Sequence, residues 1–253
     1  MNKQAEHYEK IHEEYQYHYF DKFTKFYRRI VIFERIIGII ENSKSTLEVG
    51  CGGRENLNEL LKMTDSIKIY DGVDISKKAI NLFNKNNGKD FKGFLGDFTK
   101  KDFSLEKKYN CLIFFGSLHH MTQDLEIAVQ NSRELLMDNG RIVFIEPNAA
   151  FLNTIRNLWY RISDKFDHEN ERALNIEEIQ SLCKKNNFSN ESISFGGNIG
   201  FFLIYNSMIL RTPKWLKYFL YKPLTHFDRI LQKLNNKYLS AFHISVWKKE
   251  KVK

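Results

Sequence analysis

Proline is scarce in this chain: three in 253 residues, with no Pro-Pro pair and no low-complexity linker. Cysteine is equally rare. Cys51, Cys111 and Cys183 lie far apart and form no CxxC pair, which argues against a zinc site or a disulfide framework and fits a reducing cytoplasm. No metal-ligand spacing stands out. The first residues, MNKQAEHYEKIHEEYQ, are polar and carry no apolar signal core. The longest apolar stretch, Gly200 to Leu210, is broken by Asn206 and falls short of the ~20 residues a bilayer span needs. A cytoplasmic protein is expected.

What is present fits a soluble globular chain: 42% hydrophobic and 28% charged residues. The length allows one large α/β domain with an added lobe. A formal charge of +8 invites a nucleic-acid or anionic-membrane partner. Lys, Asn, Ile and Phe are all abundant where Pro is scarce, the pattern of A/T-rich codons. The lysines therefore read first as solvated surface.

Residues 1–42 read as a helical cap, with Tyr8, Ile11, His12, Tyr15 and Tyr19 at helical spacing and a second helix over Phe23–Ile40. Strands and helices then alternate over 43–147. Strands are expected at Thr46–Val49, Ile67–Val73, Phe91–Leu95, Tyr109–Phe115 and Arg141–Glu146. Helices are expected at Glu55–Met63, Lys77–Asn86 (capped by Ser76) and Gln123–Met137. That alternation predicts a doubly wound, mostly parallel sheet. In 148–253 the expected elements are helices at Phe151–Ser163 and Ile176–Asn186, the latter capped by Asn175. A strand at Ser189–Phe195, a helical insertion over 200–236 and a last strand at Tyr238–Lys248 follow. The whole reads as one domain.

The strongest local signal is Thr46-Leu47-Glu48-Val49-Gly50-Cys51-Gly52-Gly53: a strand ending beside an acid, a glycine turn, then a helix. Glycines let backbone approach a ligand, and in an open α/β sheet ligands bind at the carboxyl end of the first strand. A dinucleotide fold would set its third glycine where this chain has Glu55, and an acid there repels phosphate. Glu48 suits a cationic ligand instead.

This segment resembles motif I of class I S-adenosylmethionine (SAM)-dependent methyltransferases, departing from it at Arg54, where that family usually has a third glycine. The resemblance covers roughly Tyr8 to Pro147 and implies a seven-stranded Rossmann-like sheet with an antiparallel last strand. It makes SAM the cofactor and Glu48, Gly50 and Gly52 part of its binding site. Asp74, ending Gly72-Val73-Asp74-Ile75, resembles the ribose-binding acid of motif II, with Ile75 on the adenine face. Leu95-Gly96-Asp97-Phe98 is similar to the third motif, in which Asp97 accepts the adenine amino group. The fourth strand ends Phe115-Gly116-Ser117-Leu118-His119-His120, similar to the S-x-L-H-H segment of small-molecule methyltransferases. There Phe115 borders the cofactor, and either histidine could act as base. Glu146, ending the fifth strand, is a reserve base on the acceptor side. The N-terminal stretch looks like the family's lid: Tyr15 and Tyr19 would reach the SAM carboxylate or the acceptor, and Arg28 or Arg29 a carboxylate or phosphate.

The expected activity is methyl transfer to a hydroxyl of a small metabolite, or to an amine or phosphate-type oxygen. The His-rich amino-terminal pattern and Glu146-Pro147-Asn148 look similar to methyltransferases of bacterial surface-glycan (capsule or polysaccharide) biosynthesis. Lys214-Trp215-Leu216-Lys217-Tyr218-Phe219-Leu220-Tyr221-Lys222 is a lid, a subunit contact or an interfacial helix. In the last case the acceptor would be lipid-linked. No nucleic-acid partner is expected, because the Asn/Asp-Pro-Pro-Tyr/Phe motif of amino-methylating nucleic-acid enzymes is missing. A non-catalytic SAM-binding module is the remaining rival, and oligomeric state is open.

Overall fold

The computed structural model describes residues 20–85, 91–152, 173–206 and 212–251. Helix α1 (Lys22–Tyr27) runs through a π-helical stretch, Arg28–Phe33, into α2 (Glu34–Glu41). Asp21 caps it, its Oδ1 accepting the backbone N–H groups of Phe23 and Thr24 at 2.9 and 2.8 Å. Then come β1 (Thr46–Val49), α3 (Glu55–Leu60), β2 (Tyr70–Asp74), α4 (Lys77–Lys85), β3 (Gly93–Leu95), β4 (Tyr109–Phe115), α5 (Leu125–Leu135) and β5 (Leu136–Pro147). The C-terminal half adds α6 (Ile176–Lys185), β6 (Phe188–Gly196), a π-helical stretch Phe201–Tyr205, α7 (Lys214–Leu231) and β7 (Phe242–Lys249).

The seven strands form one sheet in the order β3-β2-β1-β4-β5-β7-β6. Pairings are parallel except those of β7, which runs antiparallel to both β5 and β6. Side chains alternate across a strand, and β4 shows the result. Cys111 and Ile113 enter one core with α1, α2 and α3, while Leu112 and Phe114 enter the other with α5 and α6. β4 and β5 are covered on both faces, as their apolar runs Cys111–Phe115 and Ile142–Ile145 require.

The expected architecture is present, with shifted boundaries. β2 begins at Tyr70 rather than Ile67 and β3 at Gly93 rather than Phe91. β5 begins at Leu136, because α5 stops at Leu135, two residues earlier than its periodicity suggested. β7 begins at Phe242, since Lys237–Leu239 forms a 3-10 turn. Ser76 caps α4, accepting the Ala79 N–H at 3.2 Å. Asn175 makes no side-chain cap bond to α6. The helix expected at Phe151–Ser163 and the lid of residues 8–19, with Tyr15 and Tyr19, lie largely or wholly outside the described residues.

Candidate active site

β1, β2, β3 and β4 all point their carboxyl ends at one cavity of about 180 Å³. The turn after β1 forms its floor. Gly50 and Gly52 have φ of +76° and +55°. Gly50 has no substitute: a Cβ there would lie 2.5 Å from the Ser117 Cβ. The Ser117 hydroxyl donates to the Val49 carbonyl at 2.5 Å, tying the end of β4 to the end of β1. Arg54 adopts φ +82°, ψ +16°, so the left-handed geometry that a third glycine would supply is kept by an arginine. Its guanidinium sits 5.1 Å from the Phe91 ring centre. A non-glycine residue in this conformation costs ~1–2 kcal/mol.

Asp74 lines the cavity, with both oxygens oriented by backbone. Oδ2 accepts the Gly52 N–H at 2.9 Å and Oδ1 the Ser76 N–H at 2.8 Å. These bonds set the plane of a carboxylate that can accept about four. Asp97, also on the wall, is held by the Thr99 N–H and hydroxyl at 3.0 and 2.6 Å. Ile75, Phe98 and Phe115 supply apolar wall. Glu55, considered above only as an obstacle to phosphate, is itself a wall residue.

Glu48 is elsewhere. It alternates to the opposite face of β1 from Leu47 and Val49, is fully buried, and does not line the cavity. Its Oε1 accepts from Asn56 Nδ2 at 2.5 Å and its Oε2 from the Tyr70 hydroxyl at 2.9 Å. Burial pushes its pKa up to about 7, against the lowering effect of those two bonds. Asn56 in turn accepts from Arg28 Nη1 at 2.5 Å. Arg28 is buried, lines the cavity, and lies over the rings of Phe20, Phe115 and Tyr205 at 4.5, 5.7 and 5.3 Å. Glu48 therefore positions a wall arginine through Asn56, where direct contact with a ligand was expected.

Glu146 is also not a wall residue. It is fully buried at the end of β5, and its two oxygens accept four bonds. Oε1 takes the Ser117 and Leu118 N–H groups at 3.0 and 2.8 Å, and Oε2 the His119 N–H and Nδ1 at 3.3 and 2.7 Å. A carboxylate so engaged organises the turn after β4 and orients His119; it is not available to an acceptor. His120 lines the cavity, whereas His119, half-buried beside it, does not; their ring centres are 3.8 Å apart. His243, cross-strand from Glu146, is fully buried with neither ring nitrogen hydrogen-bonded, and burial lowers its pKa to about 4.

The cavity also takes Phe20, Ser117, Met121 and Tyr205, none of them singled out from sequence. Ser117 was visible inside the S-x-L-H-H segment. Tyr205 arrives from the stretch between β6 and β7, and only its aromatic run, Phe201-Phe202-Leu203-Ile204-Tyr205, hinted at a role.

Strand order, glycine turn and the two acids at the ends of β2 and just past β3 define a class I methyltransferase fold. A family model described as a methyltransferase domain matches residues 15–193, and the chain belongs to that family. No curated protein sequence matches it. Solved structures of the same fold are numerous. A SAM-dependent methyltransferase from Archaeoglobus fulgidus superposes with TM-score 0.62 at 15% identity, over 94% of this chain and 99% of its own. The PH0226 protein from Pyrococcus horikoshii OT3 gives 0.64 at 15%, over 96% and 99%. The plantazolicin methyltransferase BpumL, solved with SAH and a pentazolic desmethylPZN analog, gives 0.59 at 17%, over 96% and 91%. The chain is thus a SAM-dependent methyltransferase, with SAM as its cofactor. The cavity suits that group. It offers two oriented carboxylates and an apolar wall, and it has Glu55 where a dinucleotide fold would seat pyrophosphate.

Proposed function

We propose that this enzyme methylates a hydroxyl of a small metabolite, a surface-glycan precursor among them, with His119 as general base. When bound, SAM supplies an electrophilic methyl group and leaves as S-adenosylhomocysteine. Asp74 would accept the ribose hydroxyls and Asp97 the adenine amino group, with Ile75 and Phe98 against the ring. Arg28 would hold a carboxylate or phosphate.

The observation that carries the choice of base is the 2.7 Å contact between His119 Nδ1 and Glu146 Oε2. A carboxylate accepts only, so Nδ1 carries the proton and Nε2 is left as the basic atom. A hydroxyl is too weak an acid to ionise at neutral pH and must lose its proton as the new bond forms. His120, on the cavity wall beside it, is the alternative base.

The test uses methyl-labelled SAM and a panel of sugar-nucleotide and other hydroxylated acceptors. His119→Gln should lower kcat ~10²-fold or more while SAM affinity stays nearly intact. Glu146→Gln should shift the pH profile of any remaining turnover. Near-parental turnover in both His119→Gln and His120→Gln would make the histidines structural and remove base catalysis from the proposal.

A further inference from the structure

We propose that the exposed face of α7 docks on an anionic lipid bilayer. Trp215, Phe219, Ile230 and Leu234 are each 64–68% exposed, and Phe227 is also open to solvent. Pro223 completes the series. Their spacing puts Trp215, Phe219, Pro223, Phe227 and Ile230 along one side of the helix, with Leu234 continuing it one turn past the end. Five large apolar side chains in a row are more than the scattered exposure of an ordinary surface.

Charge selects the partner. Residues 214–239 hold six basic residues and one acid, Asp228; Lys217, Arg229 and Lys237 are ion-paired with Asp21, Glu34 and Glu177, so the charge argument rests on Lys222 and Lys233. Asp228 is fully buried, accepting the Tyr27 hydroxyl at 2.6 Å and the Asn198, Gly200 and Phe201 N–H groups. The exposed side of the helix therefore presents no negative charge, while Lys222 and Lys233 border the apolar row. An aromatic-rich apolar face edged by lysines is the composition of a helix that lies in the headgroup region of an anionic membrane. A second copy of this chain is a poor occupant. A two-fold contact sets a surface against itself, so it would bring Lys222 and Lys233 toward the same lysines of the other copy. Single-stranded nucleic acid fits no better, since Ile230 and Leu234 offer no ring for a base to stack on.

The helix is anchored firmly enough to act as a docking element. The buried Lys217 ammonium lies 2.8 Å from Asp21 Oδ2, and Tyr221 packs on Phe23 and Phe26 at 5.1 and 5.2 Å. α1 leads directly into Arg28 on the cavity wall. A bilayer under α7 would thus lie on the helical side of the site, where a lipid-borne acceptor could be presented. The docking proposal itself does not depend on the acceptor.

The test is flotation of the full chain with vesicles of phosphatidylglycerol and phosphatidylcholine in equal parts, and with phosphatidylcholine alone. Binding is expected to the anionic vesicles only, falling with salt. The variant Trp215→Ala/Phe219→Ala/Ile230→Ala and the variant Lys222→Glu/Lys233→Glu should each bind about tenfold less or weaker. Their thermal stabilisation by S-adenosylhomocysteine should match the parent, which separates lost docking from lost folding. Three results would overturn the proposal: no flotation of the parent at low salt, undiminished flotation of both variants, or a dimer in sedimentation velocity that the apolar substitutions dissolve in the absence of vesicles.

Discussion

Two buried titratable groups give this enzyme opposing pH responses, and Glu48→Gln separates them. Burial raises the Glu48 pKa to about 7, while the unfolded chain titrates it near its ordinary 4.5. The folded state holds the extra proton between those values. Glu48 therefore contributes stability that is complete below about pH 4.5 and is lost as pH rises through 7. His243 behaves in the opposite sense. With its pKa lowered from 6.5 to about 4, it contributes stability that is complete above pH 6.5 and is lost as pH falls through 4. Between about 4.5 and 6.5 the two slopes offset each other. Glu48→Gln keeps the shape and an acceptor for Asn56 but removes the titration. From pH 5 to pH 8 its stability relative to the parent should rise by about 2–3 kcal/mol, at 1.36 kcal/mol per pKa unit. Urea melts of both proteins at the two pH values measure this, because all other titrations cancel in the difference. Parallel stability profiles would refute the reasoning, and the buried acid would then be tuned by its hydrogen bonds to an ordinary pKa.

Two further outcomes follow from the cavity. Asp74→Ala should weaken S-adenosylhomocysteine binding by ~1.5–3 kcal/mol, the scale of charged hydrogen bonds, as read by calorimetry on the folded variant; unchanged affinity would take Asp74 out of the binding site. Gly50→Ala should abolish cofactor binding or folding, since the new Cβ meets Ser117 at 2.5 Å and the φ of +76° disfavours any side chain; a folded, binding-competent variant would mean that β1 and β4 can separate at this turn.

Much of this fold was legible because its signals are local. β4 was placed to the residue because it is apolar except at Asn110 and stops before Gly116, which has φ +64°. The acids Asp74 and Asp97 were placed because strand ends are marked by polar residues and glycine. Glu48 and Glu146 were misjudged for a shared reason. A carboxylate at a strand terminus faces the ligand or the interior according to strand alternation and to which helices pack on that face. Asn56, Tyr70 and the turn at Ser117–His119, which occupy these two acids, are 8, 22 and 27–29 residues away in sequence. Arg28 was read as a residue able to pair with an anion. The aromatic surroundings that hold it come from Phe20 just before α1, from β4 and from the stretch before α7, and no spacing rule connects them. At Arg54 the residue type departed from pattern while the backbone did not, so reading the loop from glycines alone underestimates how well its geometry is kept.

The position of β7 bears on how the chain is made. β7 inserts between β5 and β6, although it follows both in sequence. Until residues 242–249 have left the ribosome, β5 presents an unpaired edge and β6 has no neighbour to pair with. Val143 and Ile145 then lack their cross-strand partners Val246 and Ile244, and the second core lacks Trp247. Such an edge recruits other strands as readily as its own partner. The nascent chain is therefore most prone to aggregate until β7 has emerged, and removing β7 would split the sheet rather than shorten it.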